Sequence, residues 1–190
     1  MNTSASTIDR AVQERWLKRY YFTRAAFSVA WILAALGPGR QSPFMASLLL
    51  VMYPAWDALA NLADGSRSGG LARNRSQAFN VLVSLAVAGA VAVSLPDMHR
   101  VLAVFGAWAI LSGLLQLGAA LGRWKTAGAQ WAMALSGAQS ALAGAFFIYQ
   151  AGMPAMPSIA TVVGYAGFGA FYFLVSALWL STGGLRRKSA

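Results

Sequence analysis

The chain is predicted to be an all-α, polytopic membrane protein with six transmembrane helices, and three observations carry that expectation. Six apolar stretches, each near the length that crosses a bilayer, follow one another along 190 residues. A helix rises ~1.5 Å per residue, so about 20 apolar residues span the hydrocarbon layer. Hydrophobic residues make up 58% of the chain and charged residues 11%, whereas soluble domains carry about a quarter charged residues. The lysines and arginines also collect in alternate connecting loops. A closed barrel is excluded, because barrel strands are about ten residues long and alternate apolar with polar, while these runs are longer and apolar on all faces.

The first nineteen residues, 1–19, form a separate amphipathic element. Ile8, Val12, Trp16 and Tyr20 recur every fourth position, while Arg10, Gln13, Glu14 and Arg19 occupy other faces. This spacing predicts an interfacial helix capped by Ser6, with its cations against anionic lipid, each worth on the order of 1 kcal/mol near the surface. A frayed tail is the alternative.

The membrane domain follows at 20–182, in helical hairpins at about 20–63, 78–121 and 127–181, and a basic tail closes the chain at 183–190. The first span, Tyr20 to Leu36, reaches spanning length only by including Arg24, which can snorkel toward head groups. A secretory signal peptide is the competing reading. The aromatic belt of Trp16, Tyr20, Tyr21 and Phe22, and the Gly37-Pro38-Gly39 turn in place of a cleavage site, favour a span. The remaining spans are Phe44 to Ala63, Ala78 to Leu95, Val101 to Leu121, Ala127 to Tyr149 and Ser158 to Leu180. Small residues recur four apart at Ser84 and Ala88, Gly137 and Ala141, Ser140 and Gly144, and Ala166 and Ala170. In a bilayer such pairs serve close helix packing.

Orientation follows from the short loops, where Lys and Arg accumulate on the cytoplasmic side. Arg10, Arg15, Lys18, Arg19 and Arg24 precede or open the first span; Arg67, Arg73 and Arg75 occupy the second loop; Arg123 and Lys125 the fourth; and Arg186, Arg187 and Lys188 the tail. Only Arg40 and Arg100 fall on the other side. Both termini are therefore expected to be cytoplasmic.

Composition narrows the chemistry. The formal net charge is +10, but a nucleic-acid binder gathers its basic residues on one solvated face, so no nucleic-acid partner is expected. The absence of cysteine and the single histidine, His99, remove disulfides, thiolates and the usual Cys and His metal sites; neither a cofactor nor a metal is expected. No Ser–His, Asp–Asp or His–Glu set occurs within the spans, which argues against an enzyme. The Met153, Pro154, Met156, Pro157 stretch suggests copper through its thioethers. With no His or Cys nearby in sequence, a proline-stiffened turn is preferred.

An internal repeat is also legible. Tyr53, Asp57, Ala58 and Asn61 match Trp108, Ser112, Gly113 and Gln116 at a shift of 55 residues, and Gly89 maps onto Gly144 by the same shift. Tyr172, Ser176, Ala177 and Leu180 repeat the pattern 64 residues after the second copy. Three tandem hairpins of like topology are expected, related by a pseudo-threefold axis along the membrane normal.

The units WAILSGLLQLGAALGRW and WAMALSGAQSALAGAFFIYQAGMP, with the hairpins around them, resemble the HdeD-type acid-resistance membrane proteins, a bacterial short-repeat family. The resemblance is best from about Ala78 to Leu180. It implies a six-span protein of the bacterial inner membrane, linked to survival in acid or at high cell density, and offers no catalytic or binding residues to carry over.

Asp57 is the one acid within a predicted span, about six residues and roughly 9 Å from the cytoplasmic end. Intramembrane carboxylates are costly and often belong to ion or proton paths. Asn61 lies one turn away, and Ser112, Gln116 and Ser176 hold equivalent places in the other repeats, so a polar ring is expected if these helices face a common axis. Pairing of Asp57 with Arg73 or Arg75 in assembly is the alternative. His99, flanked by Asp97 and Arg100, is a candidate pH sensor, since histidine changes charge near neutrality. The expected function is a non-enzymatic membrane factor supporting acid or stress tolerance or envelope integrity, with anionic lipid and a homo-oligomeric or membrane-protein partner. A small transporter or proton conductor using Asp57 is the alternative.

Overall fold

No proline or glycine occurs between Asn2 and Leu36, and in the computed structural model this stretch is one 35-residue helix, α1 (Asn2–Leu36). The structure describes residues 2–122 and 130–186, with side chains described for 12–118, 120–121 and 134–182. The expected boundary between an interfacial helix and a first span is therefore not a helix end, and Ser6 lies inside the helix rather than at its cap. At ~1.5 Å per residue α1 is about 52 Å long, which exceeds the ~30 Å hydrocarbon layer. The charged residues before Tyr20 continue the helix because nothing in the sequence stops it before Gly37.

The remaining elements begin and end on recognisable signals. After the short α2 (Pro38–Gln41), Ser42 caps α3 (Pro43–Arg67), its Oγ accepting from the Met45 N–H at 3.3 Å, with Pro43 in the first turn. Helix α3 does not stop at Ala63 but runs four residues further, to Arg67. It closes with the Gly70 N–H donating to the Gly65 carbonyl at 3.0 Å across Gly69 and Gly70, both at positive φ (+95° and +89°). This is the bonding of a Schellman-type helix end, where glycine avoids the Cβ clash of the left-handed region. A Gly69→Ala, Gly70→Ala pair meets no neighbouring atom, yet is expected to cost about 1 kcal/mol per site through backbone conformation alone, measurable by thermal unfolding in detergent.

Asn74 caps α4 (Arg75–Ser94) through the Gln77 N–H at 3.3 Å. A turn containing a cis Leu95–Pro96 peptide leads into α5 (Met98–Gly122), which Asp97 caps by accepting from the His99 and Arg100 N–H groups at 3.0 and 3.3 Å. Helices α6 (Gln130–Ala151) and α7 (Ile159–Arg186) complete the chain. The predicted fifth span begins at Ala127, outside the described residues, as do Arg123, Lys125, Arg187 and Lys188. The predicted tail is helical as far as Arg186.

Among the described residues all regular structure is helical, and five helices, α1, α3, α4, α5 and α7, are long and apolar enough to cross a membrane. Six were expected. Helix α6 is 22 residues long, but the side chains of its first four residues lie outside those described, and its described part is not among the five.

The chain divides into two compact units, one of residues up to Leu33 together with those from Ala166, the other of Ala34–Tyr165. In the first, α1 packs on α7. The Tyr21 and Phe173 rings stack with centroids 6.3 Å apart, and Ala25, Ser28 and Trp31 of α1 and Ala166, Ala170 and Ala177 of α7 are buried. Arg24 does not simply snorkel: its guanidinium lies 4.2 Å from the Phe173 ring centroid and donates to the Tyr20 hydroxyl at 2.9 Å. A cation over an aromatic face is stabilised by the ring quadrupole.

In the second unit the most extensive packing joins α3 to α4 and α5 to α6, with a smaller contact between α4 and α5. Two of these pairs join successive predicted hairpins, and the third, α4 with α5, lies within one. The reason for α5 and α6 is visible in the glycines. A Cβ on Gly113 would lie 2.5 Å from the Gly137 carbonyl oxygen, and one on Gly144 2.5 Å from that of Gly106. The paired positions step seven residues in opposite directions along two antiparallel helices, so backbone meets backbone at two levels. Gly89, the expected counterpart of Gly144, has nothing within 4 Å of its would-be Cβ. Their sequence equivalence does not extend to their packing.

Candidate functional site

The antiparallel contact of α3 and α4 carries the polar residues of interest. Asp57 faces α4, where the Ser84 hydroxyl donates to its Oδ2 at 2.7 Å. Asn61, one turn further along α3, donates through Nδ2 to the same Oδ2 at 2.9 Å and to the Asp57 carbonyl at 2.8 Å. Asn61 and Ser84 are buried, and Asp57 is half-buried. The expected pairing of Asp57 with Asn61 is present. The hydroxyl that reaches the carboxylate is Ser84 on α4, a residue whose sequence context pointed only to small-residue packing.

A second polar level lies one heptad away. Asp64 is 8% exposed, and its Oδ2 accepts from the Gln77 side-chain amide of α4 at 2.5 Å. Asp57 and Asp64 are seven residues apart on α3, and Gln77 and Ser84 seven apart on α4, so both pairs occupy one seam in opposite directions. The two levels stand about 10 Å apart along the helix axis. Asp64 escaped the sequence reading because it falls one residue past the predicted end of the span at Ala63. The signal that finds it is the matched spacing, Asp57 to Asp64 against Gln77 to Ser84, which places all four side chains on facing stripes.

Ser112 and Gln116, the expected counterparts of Asp57 and Asn61, are half-buried on α5. Ser176 is half-buried on α7 and belongs to the other compact unit. A serine not assigned a polar role, Ser140 of α6, donates to the Ala109 carbonyl of α5 at 3.2 Å and shares a hydrogen bond of 3.1 Å with the Tyr165 hydroxyl of α7. It links three helices of the second unit.

His99 sits in the first turn of α5. Its ring Nδ1 is 3.1 Å from the Ala151 carbonyl at the end of α6, and the neighbouring Arg100 Nε pairs with Asp97 Oδ2 at 3.1 Å on an exposed surface. The histidine is thus tied to a residue 52 positions away, a connection that sequence spacing does not reveal.

What this arrangement does chemically is hold helices together. Asp57 takes hydrogen bonds from Ser84 on the facing helix and Asn61 on its own, and Asp64 takes one from Gln77 across the seam, which offsets part of the cost of placing a carboxylate there. Among the described residues no three His, Asp or Glu side chains converge as metal ligands. Comparison of the chain with protein-family models, with curated proteins and with solved structures finds no match.

Proposed function

We propose that this chain is a non-enzymatic protein of the bacterial inner membrane, with α6 as its sixth span and both termini cytoplasmic, that supports tolerance of acid or envelope stress. The single observation behind its non-catalytic, non-transporting character is the engagement of Asp57 by both Asn61 and Ser84 in the α3–α4 seam. A carboxylate so engaged serves assembly. The arginine-rich loops support the orientation, the spacing of the three copies supports hairpins related about the membrane normal, and the resemblance to the HdeD-type proteins supports the acid-stress role. Exposed Arg15, Lys18 and Arg19 beside Trp16 and Tyr20 on α1 suit anionic lipid at the cytoplasmic face. A homo-oligomer or another membrane protein is the partner class that small-residue seams favour.

The test is reconstitution into vesicles enclosing a pH-reporting dye, wild type beside Asp57→Asn. The expected result is a proton leak equal to that of protein-free vesicles for both, with the variant less heat-stable in detergent. Proton flux carried by the wild type and abolished by the substitution establishes the transporter reading instead. Deletion in the host is expected to lower survival after acid challenge, and unaltered survival removes the stress role.

A further inference from the structure

The exposed face of α1 changes character along its length. Arg15, Lys18 and Arg19 are exposed on it, Phe22 follows one turn further on, and Ala26, Val29 and Leu33 continue the same stripe through the apolar half of the helix. Residues three and four apart share a helix face. Because α1 is one unbroken helix, the cations and the apolar stripe lie on one axis instead of on two elements set at an angle. Trp16 and Tyr20, their ring centroids 6.2 Å apart, mark the head-group level beside the cations.

Charges of one sign at these spacings destabilise a helix, and the chain does not relieve them. Among the described residues Arg15, Lys18 and Arg19 meet no carboxylate. Glu14 lies at the edge of the face, next to Lys18 by helical position, which leaves the charges of Arg15 and Arg19 uncompensated at its centre. Those two guanidinium groups are rooted four residues, about 6 Å, apart along the axis. Arg24 is not part of this set, since Tyr20 and Phe173 hold it in the α1–α7 contact.

We infer that this face of α1 binds one phospholipid carrying two phosphates, of the diphosphatidylglycerol type, in preference to anionic lipid at large. The inference deepens, and rests on, the reading that α1 meets anionic lipid at the cytoplasmic face. Guanidinium groups bind phosphate through paired N–H donors, so Arg15 and Arg19 each take one phosphate while Lys18 adds a point charge beside them. The two phosphates of such a lipid are joined through a single glycerol and arrive as one dianion, which matches the two uncompensated charges. Its acyl chains then run along Phe22, Ala26, Val29 and Leu33. A lipid with one phosphate answers one arginine and leaves the other.

The experiment takes the full chain, delipidated in a neutral detergent, and counts bound lipid by native mass spectrometry during titration with tetraoleoyl diphosphatidylglycerol, dioleoyl phosphatidylglycerol or dioleoyl phosphatidylethanolamine. The expected result is about one equivalent of the two-phosphate lipid, held at least about tenfold more tightly than phosphatidylglycerol at equal total phosphate, with the zwitterion not retained. Arg15→Gln with Arg19→Gln should abolish the preference. Arg73→Gln with Arg75→Gln removes the same charge from exposed positions of the second loop and should leave it intact. Arg15→Lys with Arg19→Lys keeps the charge but loses the paired donors, so the preference should fall severalfold; should the glutamine pair not fold, the lysine pair decides. Inorganic pyrophosphate, which lacks acyl chains, should not displace the lipid. Equal loss in the loop and α1 glutamine pairs shows general attraction to anionic surfaces, and displacement by pyrophosphate shows a soluble ligand; either overturns the site, as does an unchanged preference in the α1 variants. Orientation is read separately by Ser6→Cys in this cysteine-free chain. Its labelling by an impermeant thiol reagent outside intact spheroplasts overturns the cytoplasmic assignment and leaves the result in detergent standing.

Discussion

Replacing Gly113 with leucine should prevent α5 and α6 from packing in their native register, with a loss of at least about 3 kcal/mol in reversible unfolding. The first atom of the new side chain would meet the Gly137 carbonyl oxygen at 2.5 Å and the Ala141 nitrogen at 2.6 Å. Both are backbone atoms, so no rotamer relieves the clash; the helices must separate. Separation also loses the second level, where Gly106 and Gly144 approach equally closely, because two levels on the same rigid helices move together. Gly144→Leu is expected to behave like Gly113→Leu, and the double variant to cost less than their sum, since the first has already opened the seam. Gly89→Ala supplies the contrast. With open space around it, it should be neutral or stabilising by about 0.5–1 kcal/mol, the ordinary helical preference for alanine over glycine. Unfolding in detergent of graded denaturing strength measures all four. Equal stability of Gly113→Leu and wild type would show that α5 and α6 do not meet through glycine.

The second large effect is expected at the polar seam. Asp57→Ala removes the carboxylate that accepts from both the Ser84 hydroxyl and the Asn61 amide; Asn61 keeps its bond to the residue-57 carbonyl, while the buried Ser84 hydroxyl loses this acceptor, at a cost of about 1–3 kcal/mol. Ser84→Ala removes one donor and leaves Asn61 on the carboxylate, which should cost about 1 kcal/mol. A double-mutant cycle of Asp57→Ala with Ser84→Ala should give a coupling of about 0.5–2 kcal/mol. The same cycle at Asp64 and Gln77 should also couple, whereas Asp57 with Gln77 should be nearly additive, being one heptad apart. Zero coupling at both matched levels removes the assembly role of the carboxylates and with it the basis for the non-transporting reading.

The α3–α4 seam also shows how far residue patterns carry. Asp57 stands out in the sequence because a lone acid in an apolar run is conspicuous, and Asn61 follows because one helical turn separates them. Ser84 does not, since a serine in an apolar helix reads equally as a small packing residue, and only the position of α4 against α3 makes it a donor. Asp64 lay just beyond a boundary set by hydropathy, while the actual helix end is set by Gly69 and Gly70.

Helical class and the approximate place of each helix are written in local composition, because a bilayer acts on each segment according to its own apolarity and a helix satisfies its hydrogen bonds within itself. Which helix meets which is not local. Within the second unit α3 packs most extensively on α4 and α5 on α6, a choice of partners that the sequence repeat does not specify, and Gly89 and Gly144, alike in sequence, differ in packing. Those outcomes depend on which backbones can approach within van der Waals distance and which donors face which acceptors. Both are properties of two surfaces together, and they arise only when the chain is folded.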